Sequence, residues 1–182
     1  DINTVDSMGN TPLMLASAEG HSATVAALVT SGSEVNAKNG EGATALMLAS
    51  GNNHTTTVRE LLEGGANPNQ GDPDGRTALM MAAFAGHETT VRTLLDRGAE
   101  VDAADTEGNT ALLYAVSEGK LTSTRALIAR GADVNAVRVG GVRPLMLAAA
   151  TGNSTIFEDL LKHGANMNDK DSRGFTPLLI AA

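Results

Sequence analysis

The chain has 182 residues and a formal net charge of −8, from 13 Lys and Arg against 21 Asp and Glu. An acidic chain without a basic run lacks the electrostatic footprint that neutralises phosphates, which argues against nucleic acid and anionic membrane surfaces as partners. It has no cysteine, which excludes disulfides, thiolate chemistry and Cys-based zinc or haem sites within this segment.

Hydrophobic residues make up 42% of the chain but aromatics only 2%, so the core must be built from Leu, Ala, Val and Met. No apolar run approaches the roughly 18 residues of a membrane helix, and no signal peptide is present. The chain begins at Asp1 without Met and stops at Ala182 just inside a sixth repeat, as expected of a fragment of a longer chain.

One phrase recurs along the sequence. It reads Thr11-Pro12-Leu13-Met14, Thr44-Ala45-Leu46-Met47, Thr77-Ala78-Leu79-Met80, Thr110-Ala111-Leu112-Leu113, Arg143-Pro144-Leu145-Met146 and Thr176-Pro177-Leu178-Leu179, always 33 residues apart. A fixed period of roughly 20–50 residues marks a repeat architecture, in which each unit buries its apolar face against its neighbours.

In each unit a turn comes first. The third opens on Asp72-Pro73-Asp74-Gly75, where Pro fixes φ, Gly permits positive φ and Asp accepts hydrogen bonds from nearby amides. Thr77 then stands at a helix N-cap. Pro12, Pro144 and Pro177 suit the first turn of the helices that follow them. The stretch 78–85 predicts a helix of about two turns, ending at Gly86-His87. Val91, Leu94 and Leu95 make an i, i+3, i+4 stripe, predicting a second amphipathic helix from Glu88 to Asp96. Gly98 is its C-terminal glycine. Residues 99–103 are expected to run on, extended, into the next turn. Glycines at 9, 42, 75, 108, 141 and 174, and at 32, 65, 98, 131 and 164, repeat these marks in register, as do tails such as Val35-Asn36 and Val134-Asn135.

With its Thr-Pro-Leu-x-x-Ala opening and Gly-Ala-x-Val-Asn close, this pattern resembles the ankyrin repeat over essentially the whole chain. The resemblance implies an all-α fold: a curved, right-handed solenoid of stacked helix-turn-helix units with projecting β-hairpin-like fingers. Residues 1–182 form one domain, with repeats at about 6–38, 39–71, 72–104, 105–137 and 138–170 and a partial repeat at 171–182. The wording Thr-Ala-Leu-Met resembles bacterial members more than animal ones. The family usually places His after Thr-Pro-Leu. Here Met14, Met47, Met80, Leu113, Met146 and Leu179 stand there. An apolar ladder has replaced a polar one, and the adaptable Met side chain is expected to pack as core.

His21, His54 and His87 also follow the 33-residue spacing. A metal needs ligands within a few ångströms, whereas stacked helix layers lie about 10 Å apart, so these are read as turn residues and no metal is expected. The turn Asp72-Pro73-Asp74-Gly75 has no closing Glu for a calcium loop, since position 83 is Ala. No nucleophile elbow or phosphate-cradling loop is present. The chain is read as no enzyme, with no cofactor.

What remains is surface. The resemblance places contact residues on the finger tips and the inner face of the first helix. The fifth finger replaces the usual Asp with Arg138 and the capping Thr with Arg143, and sets Val137, Val139 and Val142 where polar residues are expected. Phe175 lies next to it. An apolar cluster rimmed by Arg has the composition of an interface core. The expected binding residues are Arg76, Phe84, Val137, Arg138, Val139, Val142, Arg143, Arg173 and Phe175. The reading is a scaffold that binds a protein partner. The alternative is a structural solenoid that self-associates. Neither involves nucleic acid or direct membrane contact.

Overall fold

A threonine starts five of the six first helices. The computed structural model describes residues 2–182. In it the Thr11, Thr44, Thr77, Thr110 and Thr176 hydroxyls accept the amide three residues on, satisfying a donor the helix leaves unpaired. The helices that follow are α1 (Pro12–Ala18), α3 (Ala45–Gly51), α5 (Ala78–Ala85), α7 (Ala111–Ser117) and α11 (Pro177–Ala181). Arg143 has no such hydroxyl, and α9 (Pro144–Ala150) starts without a side-chain cap. In repeats one and three the Met thioether completes the cap, its Sδ 3.5 Å from the Thr11 or Thr77 amide.

A tight turn leads to each second helix: α2 (Ser22–Thr30), α4 (Thr55–Glu63), α6 (Glu88–Asp96), α8 (Leu121–Ala129) and α10 (Ser154–Lys162). The turn needs a left-handed residue. Glycine fills it at 20, 86, 119 and 152, and Asn53 (φ 62°) takes it in repeat two, Asn being among the side chains that best tolerate that region.

First helices stack on first helices and second on second, and each pair packs within its own repeat. The core runs between the two layers. It holds Met14, Met47, Met80, Leu113 and Met146, all at most 3% exposed, with Val25, Val58 and Val91 and Leu61, Leu94, Leu127 and Leu160 from the second helices. The Met column is therefore core, as its spacing predicts. Leu179, last in the column, is exposed. Small residues such as Ala49, Ala82 and Ala115 are buried without trace of exposure, which lets thin layers approach closely.

Thr57 breaks the apolar pattern. Its hydroxyl is buried without a partner, and an unpaired buried polar group costs about 1–3 kcal/mol. Thr90 meets the same problem by bonding Thr55 and Asn53, while Ile156 in the same register is fully buried. Thr57→Val should therefore stabilise the fold by about 1 kcal/mol in urea titration; a loss would mean the hydroxyl has a partner in solution.

Residues 99–103 do not run extended. Val101 and Asp102 form a turn, because the side chain of the tail Asn or Asp is used to clasp the next repeat. Asn36 donates to the Gly65 carbonyl (3.1 Å) and accepts the Asn67 amide (2.8 Å). Asn69 does the same to Gly98 and Glu100, and Asn135 to Gly164 and Asn166. Asp102 can only accept, from the Asp133 amide.

The fingers are closed by carboxylates. Asp6, Asp72, Asp105 and Asp171 each accept the amides two and four residues on, and Asn39 does so with its amide oxygen. True bridge pairing occurs at Ala104–Thr110 and Arg138–Val142 among the described residues, so the fingers are mostly tight turns. Neighbouring tips join through main-chain bonds: Gly40 to Met8, Thr106 to Asp74, Val139 to Glu107 and Ser172 to Gly140, at 2.8–2.9 Å. The rung between fingers two and three is missing its donor, because the residue in that register is Pro73, which has no N–H. Its ring instead packs so close to Gly42 that a Cβ there would lie 2.3 Å from Cδ.

Amide and guanidinium partners lower the pKa of three carboxyls. Asp6 is lowered chiefly by the Asn10 amide, Asp171 chiefly by the Phe175 amide, and Asp159 chiefly by Arg125. A carboxyl whose folded pKa lies below its unfolded value stabilises the fold fully above the unfolded pKa. That contribution is lost as pH falls through the folded one. The melting temperature should be level above about pH 5 and fall below about pH 4. A level profile down to about pH 2.5 would show these bonds to be absent in solution.

Candidate functional site

The fifth finger is built differently because Arg138 cannot supply the closing carboxylate. Residues Val139–Gly141 instead make a short 3-10 turn with Gly140 at φ 84°, and Arg138 pairs with Val142 across it. The turn lifts Val139 to the tip, where it is 72% exposed; Val137 is 49% exposed. Val142, expected among the exposed residues, is half-buried because the bridge holds it beneath the tip. Phe175 on the sixth finger is exposed, and the Arg173 guanidinium lies 5.1 Å from its ring centroid.

The arginines of this region already have partners. Arg143 lies 2.9 Å from Asp169 and donates to the Asn135 carbonyl at 2.6 Å. Arg138 reaches Asn109 at 3.3 Å, and Arg173 pairs with Asp171 at 2.8 Å. Their side chains therefore order the fingers as well as rim the valines.

A second surface lies between fingers three and four and the first helices α5 and α7. Phe84 on α5 and Tyr114 on α7 meet edge to face, with ring centroids 6.1 Å apart. Together with Met80, Met81 and Arg76 they line a cleft of about 170 Å³. The cleft thus lies where finger three, through Arg76, meets the first helices α5 and α7. Tyr114 donates to Asp105 at 2.6 Å. Burial and then this bond push its pKa to about 12. Burial opposes ionisation of Asp105, but the Tyr114 and Asn109 bonds outweigh it and leave the carboxyl below its ordinary range. Arg76 is held by Asp72 at 2.8 Å and Asp74 at 3.1 Å, and the Asp72 bond chiefly raises its pKa.

Sequence reasoning singled out Arg76 and Phe84 here but missed Tyr114 and Met81. Both stand in one register with Leu15, Leu48, Leu147 and Ile180, each partly or well exposed. The available signal was the chain's single Tyr standing in an otherwise aliphatic column.

His21, His54 and His87 lie in the inter-helix turns. His54 Nε2 bonds the Ala18 carbonyl (3.0 Å) and His87 Nε2 the Gly51 carbonyl (2.9 Å), tying each repeat to the one before. Among the described residues no group of three or more His, Asp or Glu is placed to hold a metal ion. No helix among them is long and apolar enough to cross a membrane.

Helix-turn-helix units stacked at a constant 33-residue period, joined by turns at the finger tips, define a helical repeat solenoid, a class that presents an extended concave face for binding. The family model for ankyrin repeats, in three copies, matches residues 13–105, 46–138 and 112–182. The chain belongs to the ankyrin-repeat family, whose members are generally protein-binding modules rather than enzymes. A search among curated proteins found no match to the chain.

Proposed function

We propose that this chain is a protein-interaction module that holds its partner against the fingers and first helices of repeats three to six. The observation that carries the reading is where the aromatics sit. The chain has three Phe and one Tyr. Aromatics ordinarily dominate cores, yet this core is aliphatic, and Tyr114 and Phe157 pack only half-buried against it. Phe84 and Phe175 are exposed, the half-buried Tyr114 meets Phe84 edge to face, and Val137 and Val139 add exposed apolar surface on the fifth finger. Aromatics beside Arg are the composition of binding hot spots.

The test is retention of proteins by the immobilised chain at physiological salt, read by mass spectrometry. A true partner is kept by wild type and by Arg92→Ser on the second-helix face, and lost with Phe84→Ser. Equal loss with Arg92→Ser, or none with Phe84→Ser, rejects this face.

A further inference from the structure

Fingers three and four give the aromatic cleft a sign. Asp72, Asp74, Asp105 and Glu107 stand there against one guanidinium, Arg76. Asp74 and Glu107 are exposed at the tips. With Arg76, Asp105, Thr106 and Tyr114 they enclose a polar recess of about 230 Å³. Arg76 and Tyr114 are common to both spaces, so an apolar recess and an acidic recess share a wall. The apolar one, at about 170 Å³, is close to the ~150 Å³ of an apolar cavity that takes up benzene. It has room for a single Leu, Met or Phe side chain.

We infer that these adjoining recesses take a peptide segment in which an apolar side chain is closely followed or preceded by Lys or Arg. The inference rests on the interaction-module reading and names the chemistry of the partner at one place on that face. The apolar side chain enters beside Phe84 and Met81. The cation lies over Asp74 and Glu107, where carboxylates outnumber the single guanidinium. An acidic segment meets like charge at both tips, which costs affinity and lowers the association rate. Arg76, paired with both Asp72 and Asp74, offsets one of their two negative charges, and Asp105 and Glu107 keep the pair of fingers net negative.

The experiment is a selection of random peptides displayed on phage against the intact chain, followed by affinity measurement with the enriched peptides made synthetically. Enriched sequences should place Leu, Met or Phe within three positions of Lys or Arg. Their binding should weaken as salt rises through about 0.1 M, where screening reaches ~10 Å. Neutralising the tips together, Asp74→Asn with Glu107→Gln, should cost about tenfold in affinity with an unchanged circular dichroism spectrum. Phe84→Ser should remove most binding. Enriched peptides that lack a cation, or a selection that enriches nothing, overturns the inference. Peptides that need Phe84 but ignore the neutralised tips overturn the charge complementarity and leave the binding face standing. Peptides indifferent to Phe84 as well remove both.

Discussion

Met80→Ala should destabilise the stack by about 2–5 kcal/mol, the range for truncating a buried Met. Met80 is 2% exposed, between α5 and its neighbours on both sides. Its loss removes apolar burial from the middle of the solenoid, and thin layers framed by Ala82 and Ala115 have little side chain with which to fill the space. It also removes the sulfur that accepts the Thr77 amide, a weak acceptor but one at a buried helix start. Urea titration measures the change. A loss below about 0.5 kcal/mol would mean that the layers collapse onto the cavity. Met80→Leu keeps the volume without the sulfur and should cost under about 1.5 kcal/mol, which separates packing from the cap.

Replacing Val139 and Phe175 together by Ser should weaken partner binding by at least about tenfold while leaving the melting temperature nearly unchanged. Val139 is 72% exposed and Phe175 43%, and neither belongs to the buried core. Their hydration cost is relieved only when something covers them. The main-chain bonds that shape this region, Val139 amide to Glu107 and Phe175 amide to Asp171, survive the change. If the partner is another copy of the chain, the same loss is read as reduced self-association in light scattering. Unaltered binding would place the contact surface elsewhere. Unfolding would assign both side chains to the core.

Much of the fold was legible because the period multiplies weak signals. One Thr before Leu is a poor helix marker. Six phrases in phase, with glycines in phase after them, leave no other frame, and the Met column follows from its position inside it. The tail at Val101-Asp102 was misread as extended because its reason lies one repeat away, in the Asp133 amide that Asp102 accepts. The apolar fifth finger was visible as a departure from the repeat. The pairing of Arg143 with Asp169 was not, since it joins the two ends of one repeat through side chains. Tyr114 was hidden differently. On a two-turn helix buried on one side by the next layer, apolar residues lie nearly all round, so periodicity does not say which column faces the fingers.

Pro73 has an effect beyond its own turn. By withholding one amide it divides the finger tips into two sets. The first joins fingers one and two through Gly40 and Met8. The second runs unbroken from Asp74 through Thr106, Glu107, Val139 and Gly140 to Ser172. The helices beneath pass the division without interruption, so it belongs to the tips alone. The four fingers on the far side act as one preassembled rail. A partner laid along it meets loops whose conformational entropy was surrendered during folding, and less of the contact energy is spent on ordering them. Fingers one and two meet that rail through the packing of Pro73 on Gly42 and the bond from Lys38 to the Gly71 carbonyl rather than through a main-chain rung.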